Sequence, residues 1–160
     1  MYIQKVLFTN EECKNIISLA GEFNPYKYYK QPEYIHYLDK KQREYFLGKF
    51  EYFNLKSFPK YIKILKYTEG IGFNLHIDSQ GEDGRLKSIV TQLSPSDSYE
   101  GGDLELIVNS QSVKISKEIG NSVIYPASTP HKVSTITSGV RYVMVFWVRK
   151  WNLKLSKSII

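Results

Sequence analysis

His76-Ile77-Asp78, then His131 at 53 residues beyond Asp78, then Arg141 ten residues further on, are the residues of this chain whose types and spacing could do chemistry. Two imidazoles and one carboxylate form the ligand set that holds non-haem Fe(II) on one face and leaves the opposite coordination positions open. A trailing arginine suits the carboxylate of a small dianionic co-substrate, because its planar fork of donors matches a carboxylate bidentately. Zinc accepts the same imidazole and carboxylate ligands in a hydrolytic or structural site. Arg141, and the lack of an obvious general-base glutamate beside the ligands, favour iron. The remaining histidine, His36, lies in a tyrosine-rich stretch that reads as helical.

For His76 and Asp78 to act together they must share a face, and a strand supplies that, since residues i and i+2 project to the same side. Phe73, Leu75 and Ile77 alternate with Asn74, His76 and Asp78, so the spacing predicts a strand with the pair on one face and Ile77 in the packing layer. His131 follows Tyr125-Pro126 and Thr129-Pro130 and opens a new strand. Arg141 stands on Val140–Val148, an almost wholly apolar strand, with Val143, Val145 and Trp147 on its face. A guanidinium there is costly unless paired, so it clamps a ligand or meets a carboxylate such as Asp103 or Glu105.

Further strands are predicted at Tyr61–Tyr67, Ser88–Leu93, Leu104–Val108, Gln111–Ile115, Ser122–Tyr125 and His131–Ile136, separated by turn signals such as Asn109-Ser110, Gly120-Asn121 and Ser138-Gly139. About eight short strands without intervening helices mean an antiparallel sandwich or barrel, best described as a jelly roll. Before them, Thr9 and Glu12 form a capping box, and Cys13, Ile16, Ile17 and Ala20 follow at helical spacing. That stripe makes Cys13 a buried small hydrophobe rather than a reactive thiol. A second helix is expected from about Asp39 to Phe53, weakened by Gly48. The chain therefore reads as one domain over 1–160: helical support in 1–58 and a mainly β jelly-roll core, cupin-like, over about 60–150.

The chain has 160 residues with a 42% hydrophobic fraction, enough for a core without disulfides or a structural metal. Its one cysteine excludes an internal disulfide and a cysteine-based zinc site, and no stretch is long enough to span a bilayer. A reducing, cytoplasmic setting follows as the expectation. Lys plus Arg exceed Asp plus Glu by 22 to 16, but the cations are scattered; Lys60, Lys63 and Lys66, and Arg149, Lys150, Lys154 and Lys157, are the only loose groups. That argues against nucleic acid as a partner without closing it off. The 13 tyrosines, concentrated between Tyr26 and Tyr52, read as half-buried packing.

With these motifs in order, the sequence resembles the Fe(II)/2-oxoglutarate dioxygenases, in particular their prolyl-4-hydroxylase-like branch. The resemblance covers roughly residues 60–150. It consists of Tyr67-x-x-Gly70-x-x-Phe73-x-x-His76-x-Asp78, Ser88-Ile89-Val90-Thr91-Gln92-Leu93-Ser94, Tyr99-Glu100-Gly101-Gly102-Asp103-Leu104, Gly120–Pro126 ahead of His131, and Gly139-Val140-Arg141-Tyr142 with Phe146-Trp147-Val148. It implies a double-stranded β-helix, with iron at His76, Asp78 and His131 and Arg141 on the distal carboxylate of 2-oxoglutarate. Tyr67 matches a tyrosine that hydrogen-bonds the co-substrate in relatives, and Gln92 stands on a strand whose inward side chains line the pocket. Collagen-type enzymes usually carry lysine where Arg141 stands, whereas other branches use arginine.

The implied activity is hydroxylation of a C–H bond, with Fe(II), 2-oxoglutarate and O2 consumed or held, release of succinate and CO2, and ascorbate as a candidate auxiliary reductant. Asp78 favours hydroxylation, because related halogenases lack that carboxylate. A peptidyl proline is the first candidate substrate. The alternatives are the same chemistry on a free amino acid, small metabolite or nucleobase, or a non-catalytic cupin-like metal-binding module. Substrate choice is assigned to the N-terminal third and to the 79–87 loop, whose Gly81, Glu82, Asp83 and Gly84 suit a lid. Oligomeric state is not read from the sequence.

Overall fold

The computed structural model describes residues 1–25 and 32–150. Tyr26, Tyr28 and Tyr29 of the tyrosine cluster, and Lys154 and Lys157 of the C-terminal basic group, lie outside the described residues. In chain order the first elements are β1 (Ile3–Val6), α1 (Asn10–Ser18), β2 (Asn24–Pro25), β3 (Pro32–Tyr37), α2 (Lys40–Lys49), a 3-10 turn (Glu51–Phe53), β4 (Tyr61–Tyr67), β5 (Phe73–His76) and β6 (Arg85–Gln92). There follow β7 (Tyr99–Glu100), β8 (Leu104–Val108), β9 (Gln111–Lys114), β10 (Asn121–Pro126), β11 (His131–Val133), β12 (Ser138–Gly139) and β13 (Arg141–Arg149).

A seven-stranded sheet ordered β1-β10-β6-β13-β4-β3-β2 faces a four-stranded sheet ordered β5-β11-β8-β9, and β12 pairs with β7 in a short ribbon. Every pairing is antiparallel, and the architecture is the jelly roll expected from the strand spacing. Strand parity divides the core in two. On β13, Val143 and Val145 turn inward against Tyr67, Leu104, Tyr125 and Val133 between the sheets. Met144 and Phe146 turn outward, beneath the helices, against Phe46, Phe50 and Phe58. Phe58 and Phe50 lie 4.5 and 5.0 Å from Phe146 by ring centroid. Burial on both faces is why β13 reads as a continuous apolar run rather than an alternating one.

α1 starts where the capping box requires: Thr9 accepts from the Glu12 backbone N–H, and Glu12 accepts from the Thr9 N–H at 2.8 Å. Cys13 is fully buried on its inner face. α2 is capped reciprocally by Asp39 and Gln42, and Gly48 falls in its last turn before the 3-10 turn takes over.

The structure departs from the sequence reading in the N-terminal third, which is not purely helical: β1, β2 and β3 all join the large sheet. His36 lies on β3, in register with Ile62 of β4, and not on a helix. Its stretch lacks a clean alternation, so pairing with β4 decides its state rather than local preference. Tyr34 is partly buried and Tyr45 44% exposed, as half-buried packing expects, whereas Tyr37 and Tyr52, at 73 and 57% exposed, stand further out than such packing would leave them. β5 also breaks the expected period of two. His131 pairs with His76, but Val133 pairs with Phe73, so the register slips by one residue. This bulge puts Phe73 and His76 on the same side, with ring centroids 4.1 Å apart, and leaves Leu75 59% exposed.

Candidate metal centre

His76 ends β5 and His131 opens β11, and the two are partners across the antiparallel ladder. Their rings lie 4.2 Å apart by centroid. Asp78 stands two residues past β5, where its own N–H and that of Ser79 donate to the Ala127 carbonyl at 2.9 and 3.1 Å. Asp78 Oδ1 is 3.6 Å from His76 Nε2 and 3.7 Å from His131 Nε2. One ligand atom from each of the three residues lies within 4.8 Å of the others.

The rest of each side chain is already engaged. His76 Nδ1 meets the Asn74 carbonyl at 2.7 Å, and His131 Nδ1 meets the Thr129 carbonyl at 2.9 Å. A carbonyl partner assigns the hydrogen to Nδ1 and leaves the Nε2 lone pair directed at Asp78 Oδ1. The outer carboxylate oxygen, Asp78 Oδ2, accepts from the Ser88 hydroxyl and from Trp147 Nε1 at 3.1 Å. Three electron-pair donors thus converge, at separations that admit a cation with metal–ligand bonds of about 2 Å. The donor set fits Fe(II).

Charge follows the same plan. Burial pushes the Asp78 carboxyl up, but the adjacent His76 and His131 imidazoles and the Ser88 and Trp147 donors outweigh it and hold the pKa at about 2. Burial lowers the pKa of His131 against the opposing pull of Asp78, favouring the neutral imidazole that ligates metal. Tyr125, 2% exposed, sits 5.1 Å from the His131 ring by centroid, and its phenol is pushed well above the usual range by burial and by Asp78.

A cavity of about 240 Å³ runs between the sheets from this centre to Arg141 and Tyr67. Arg141 is 4% exposed. Its Nε donates to Gln92 Oε1 at 3.0 Å, its guanidinium carbon lies 5.2 Å from the Tyr67 ring, and its second terminal nitrogen, Nη1, has no hydrogen-bond partner among the described residues. The carboxylates considered as partners are taken elsewhere: Asp103 by Lys114 and Lys117 at 3.2 and 3.8 Å, and Glu105 by Lys132 at 3.4 Å. A buried guanidinium nitrogen left open in a cavity wall is costly, and a ligand carboxylate is the partner that would satisfy it. The donor thus fits 2-oxoglutarate. Gly102, at φ +65°, permits this packing, because a Cβ there would lie 3.0 Å from Arg141 Cδ and 2.5 Å from Ile136 Cδ1.

Tyr67 lines the cavity as expected, whereas Gln92 does not. Gln92 stands behind Arg141, with Nε2 donating to the Ser94 carbonyl and the Tyr99 hydroxyl, each at 2.9 Å, so it orients the guanidinium from the far side. Ser88, Tyr125 and Trp147 were not singled out by the sequence, although Trp147 shares strand parity with Arg141. The 79–87 loop is hydrogen-bonded internally and to the end of β13. Asp83 accepts from Ser79 and from the Arg85 N–H, and its carbonyl accepts from Arg149 at 2.9 Å.

The sequence profile of the 2OG-Fe(II) oxygenase superfamily matches residues 62–149. Among curated proteins, the chain is similar to a PKHD-type hydroxylase of Hyphomonas neptunium, 42% identical over 89 residues, covering 51% of this chain and 39% of that protein. A PKHD-type hydroxylase of Parvibaculum lavamentivorans is 37% identical over 108 residues, covering 64% and 49% respectively. The chain spans about half the length, or less, of these relatives. Among solved structures, a Pseudomonas putida prolyl-4-hydroxylase aligns with a TM-score of 0.69 at 19% identity, over 92% of this chain and 91% of that one. A Trichoplax adhaerens prolyl hydroxylase, solved with a hypoxia inducible factor oxygen degradation domain peptide fragment, aligns with a TM-score of 0.69 at 17% identity, over 99 and 87%. At such identities the likeness is one of fold.

Proposed function

This chain belongs to the 2OG-Fe(II) oxygenase superfamily, and from that membership we propose that it is a 2-oxoglutarate-dependent dioxygenase that hydroxylates a C–H bond. The observation that carries this reading is the convergence of His76 Nε2, Asp78 Oδ1 and His131 Nε2 in a cavity whose far end holds a buried arginine with an open donor. In this reading His76, Asp78 and His131 hold Fe(II), Arg141 clamps the distal carboxylate of 2-oxoglutarate, and Tyr67 closes on the same end. When bound, iron and 2-oxoglutarate supply the oxidising chemistry, with O2 consumed and succinate and CO2 released. The protein contributes geometry. Ser88 and Trp147 hold the Asp78 carboxylate so that one oxygen faces the metal, and Gln92 holds the Arg141 fork. Val143, Val145 and Leu65 keep the middle of the cavity apolar and exclude water.

The activity is assigned to one oxygenase domain with its jelly-roll core over about 60–150. A cytoplasmic setting remains the reading from cysteine usage; no helix among the described residues is long and apolar enough to cross a membrane. The solved neighbours named as prolyl hydroxylases bring a peptidyl proline forward as substrate, and a free amino acid or small metabolite is the competing class. The test is 2-oxoglutarate turnover by the purified chain with Fe(II) and O2. Succinate should form in step with 2-oxoglutarate loss, and Arg141→Ala should sharply raise the 2-oxoglutarate concentration it requires. A protein that binds Fe(II) but forms no succinate against peptide, amino-acid and nucleoside pools would instead be a metal-binding module.

A further inference from the structure

The inner face of the large sheet is charged at both ends of the cavity and apolar between them. Inward residues on β13 are Arg141, Val143, Val145 and Trp147, and the β4 residues in register with the first three are Tyr67, Leu65 and Lys63. Glu33 of β3 is in register with Leu65. The four residue steps along β4 from Tyr67 to Lys63 correspond to about 13 Å. Arg141 and Tyr67 therefore mark one end, and Glu33, Lys63 and Trp147 the other, and all five line the same cavity. Lys63 Nζ lies 2.9 Å from Glu33 Oε2, and the two side chains are only 18 and 17% exposed. Lys63 Nζ also stands 5.6 Å from the centre of the Trp147 ring, whose Nε1 reaches Asp78 Oδ2 at 3.1 Å. The ion pair is thus one indole away from a candidate metal ligand, where the C–H bond of a substrate has to lie.

An ion pair this far from water contributes little to stability, and well-packed apolar residues often do as well or better. Leucine and valine already fill the neighbouring wall positions at 65, 143 and 145, so packing alone does not call for charge here. What the pair offers is recognition. A lone anion would be drawn to Lys63 and repelled by Glu33, and a lone cation the reverse, whereas adjacent opposite charges satisfy both. An internal peptide residue brings only amide dipoles and would bury the pair further. The geometry points to a free α-amino acid as the primary substrate, its carboxylate on Lys63, its ammonium on Glu33 and its side chain directed at the metal centre. A cavity of about 240 Å³ that must also take the co-substrate suits a partner of that size. This assignment rests on the dioxygenase reading and narrows it.

The test titrates a panel of free L-α-amino acids, and their N-acetyl amides, into anaerobic protein loaded with Fe(II) and 2-oxoglutarate, followed by calorimetry and by the visible band of the iron chelate. At least one free amino acid should bind about tenfold or more tightly than its blocked form. The preference should collapse in the double variant Glu33→Met with Lys63→Met, which removes the pair without stranding a buried charge and should keep or raise Tm. The double variant Glu33→Gln with Lys63→Gln, which also removes both charges, serves if the first does not fold. Equal or tighter binding of blocked amino acids or prolyl peptides, no binding by any free amino acid, or a preference that survives the double variant would overturn the assignment. Failure of the chelate band to form at all would bring down the dioxygenase reading itself, and this inference with it.

Discussion

Trp147→Phe is the substitution that most sharply separates the role of a side chain in ordering the metal centre from its role in packing. The change keeps an aromatic ring beside Arg85, whose guanidinium lies 4.3 Å from the indole centroid, and, at the cost of a smaller ring, removes the Nε1–H that donates to Asp78 Oδ2 at 3.1 Å. A hydrogen bond to a charged group contributes about 1.5–3 kcal/mol in net terms. Ser88 still donates to the same oxygen, so the loss falls toward the lower end of that range. With the outer oxygen half released, the carboxylate can rotate, and the Oδ1 atom now 3.6 and 3.7 Å from the two imidazole nitrogens is no longer fixed. Removal of such a support lowers metal affinity by about 10–100-fold in general. We expect about tenfold weaker Fe(II) binding for Trp147→Phe, a similar loss for Ser88→Ala, and a greater loss for the double variant. The assay is anaerobic Fe(II) titration by calorimetry, with circular dichroism to show that the fold is retained. Unchanged Fe(II) affinity in Trp147→Phe, with the fold intact, would refute the reasoning.

Gln92→Leu should weaken 2-oxoglutarate binding by about tenfold while leaving Fe(II) affinity alone, because it frees Arg141 Nε without touching the metal ligands; equal losses for both ligands would show that Gln92 acts by general packing. Glu12 should make the fold sensitive to acid. Burial opposes its ionisation, but Lys49, the Thr9 N–H and Tyr45 outweigh that and hold its pKa at about 2 against an ordinary 4.5. Ionised Glu12 therefore stabilises the fold above about pH 4.5, and the contribution fades as pH falls toward 2, with a size on the order of 1 kcal/mol given its partial exposure. The urea midpoints of wild type and Glu12→Gln should differ at pH 7 and converge below pH 3; a constant gap would contradict the assignment. Cys13 is fully buried, and burial pushes its thiol up to about 11, so a thiol reagent should label it only on unfolding; rapid labelling in buffer would be inconsistent with that burial.

What the sequence revealed, and what it concealed, follows the range of the interactions involved. β4, β6, β10 and β13 were legible as short β-rich runs bounded by turn signals, because such strands bury residues on both faces, one between the sheets and one under the helices. The Thr9–Glu12 capping box was legible because it is local. β3 was not, since Glu33 to Tyr37 carry no clean period and owe their extended form to β4. The β5 bulge was hidden for the same reason, being a mismatch of register with β11, about 55 residues away in the chain. His76, Asp78, His131 and Arg141 stood out by residue type. Their supports did not, because a serine and a tryptophan acquire meaning only when the fold brings Ser88 and Trp147, 10 and 69 residues from Asp78, onto one carboxylate oxygen.

The central claim is that His76, Asp78 and His131 hold iron while Arg141 holds 2-oxoglutarate beside it. The measurement that bears on it most directly is anaerobic addition of Fe(II) and then 2-oxoglutarate to the intact chain, watched for the weak visible charge-transfer band of the chelate. The account predicts a saturable band in the wild type, its loss in Asp78→Ala and His131→Ala, and a much higher 2-oxoglutarate requirement in Arg141→Ala. A band that persists without Asp78 or His131, or that forms at unchanged 2-oxoglutarate concentration without Arg141, would contradict it.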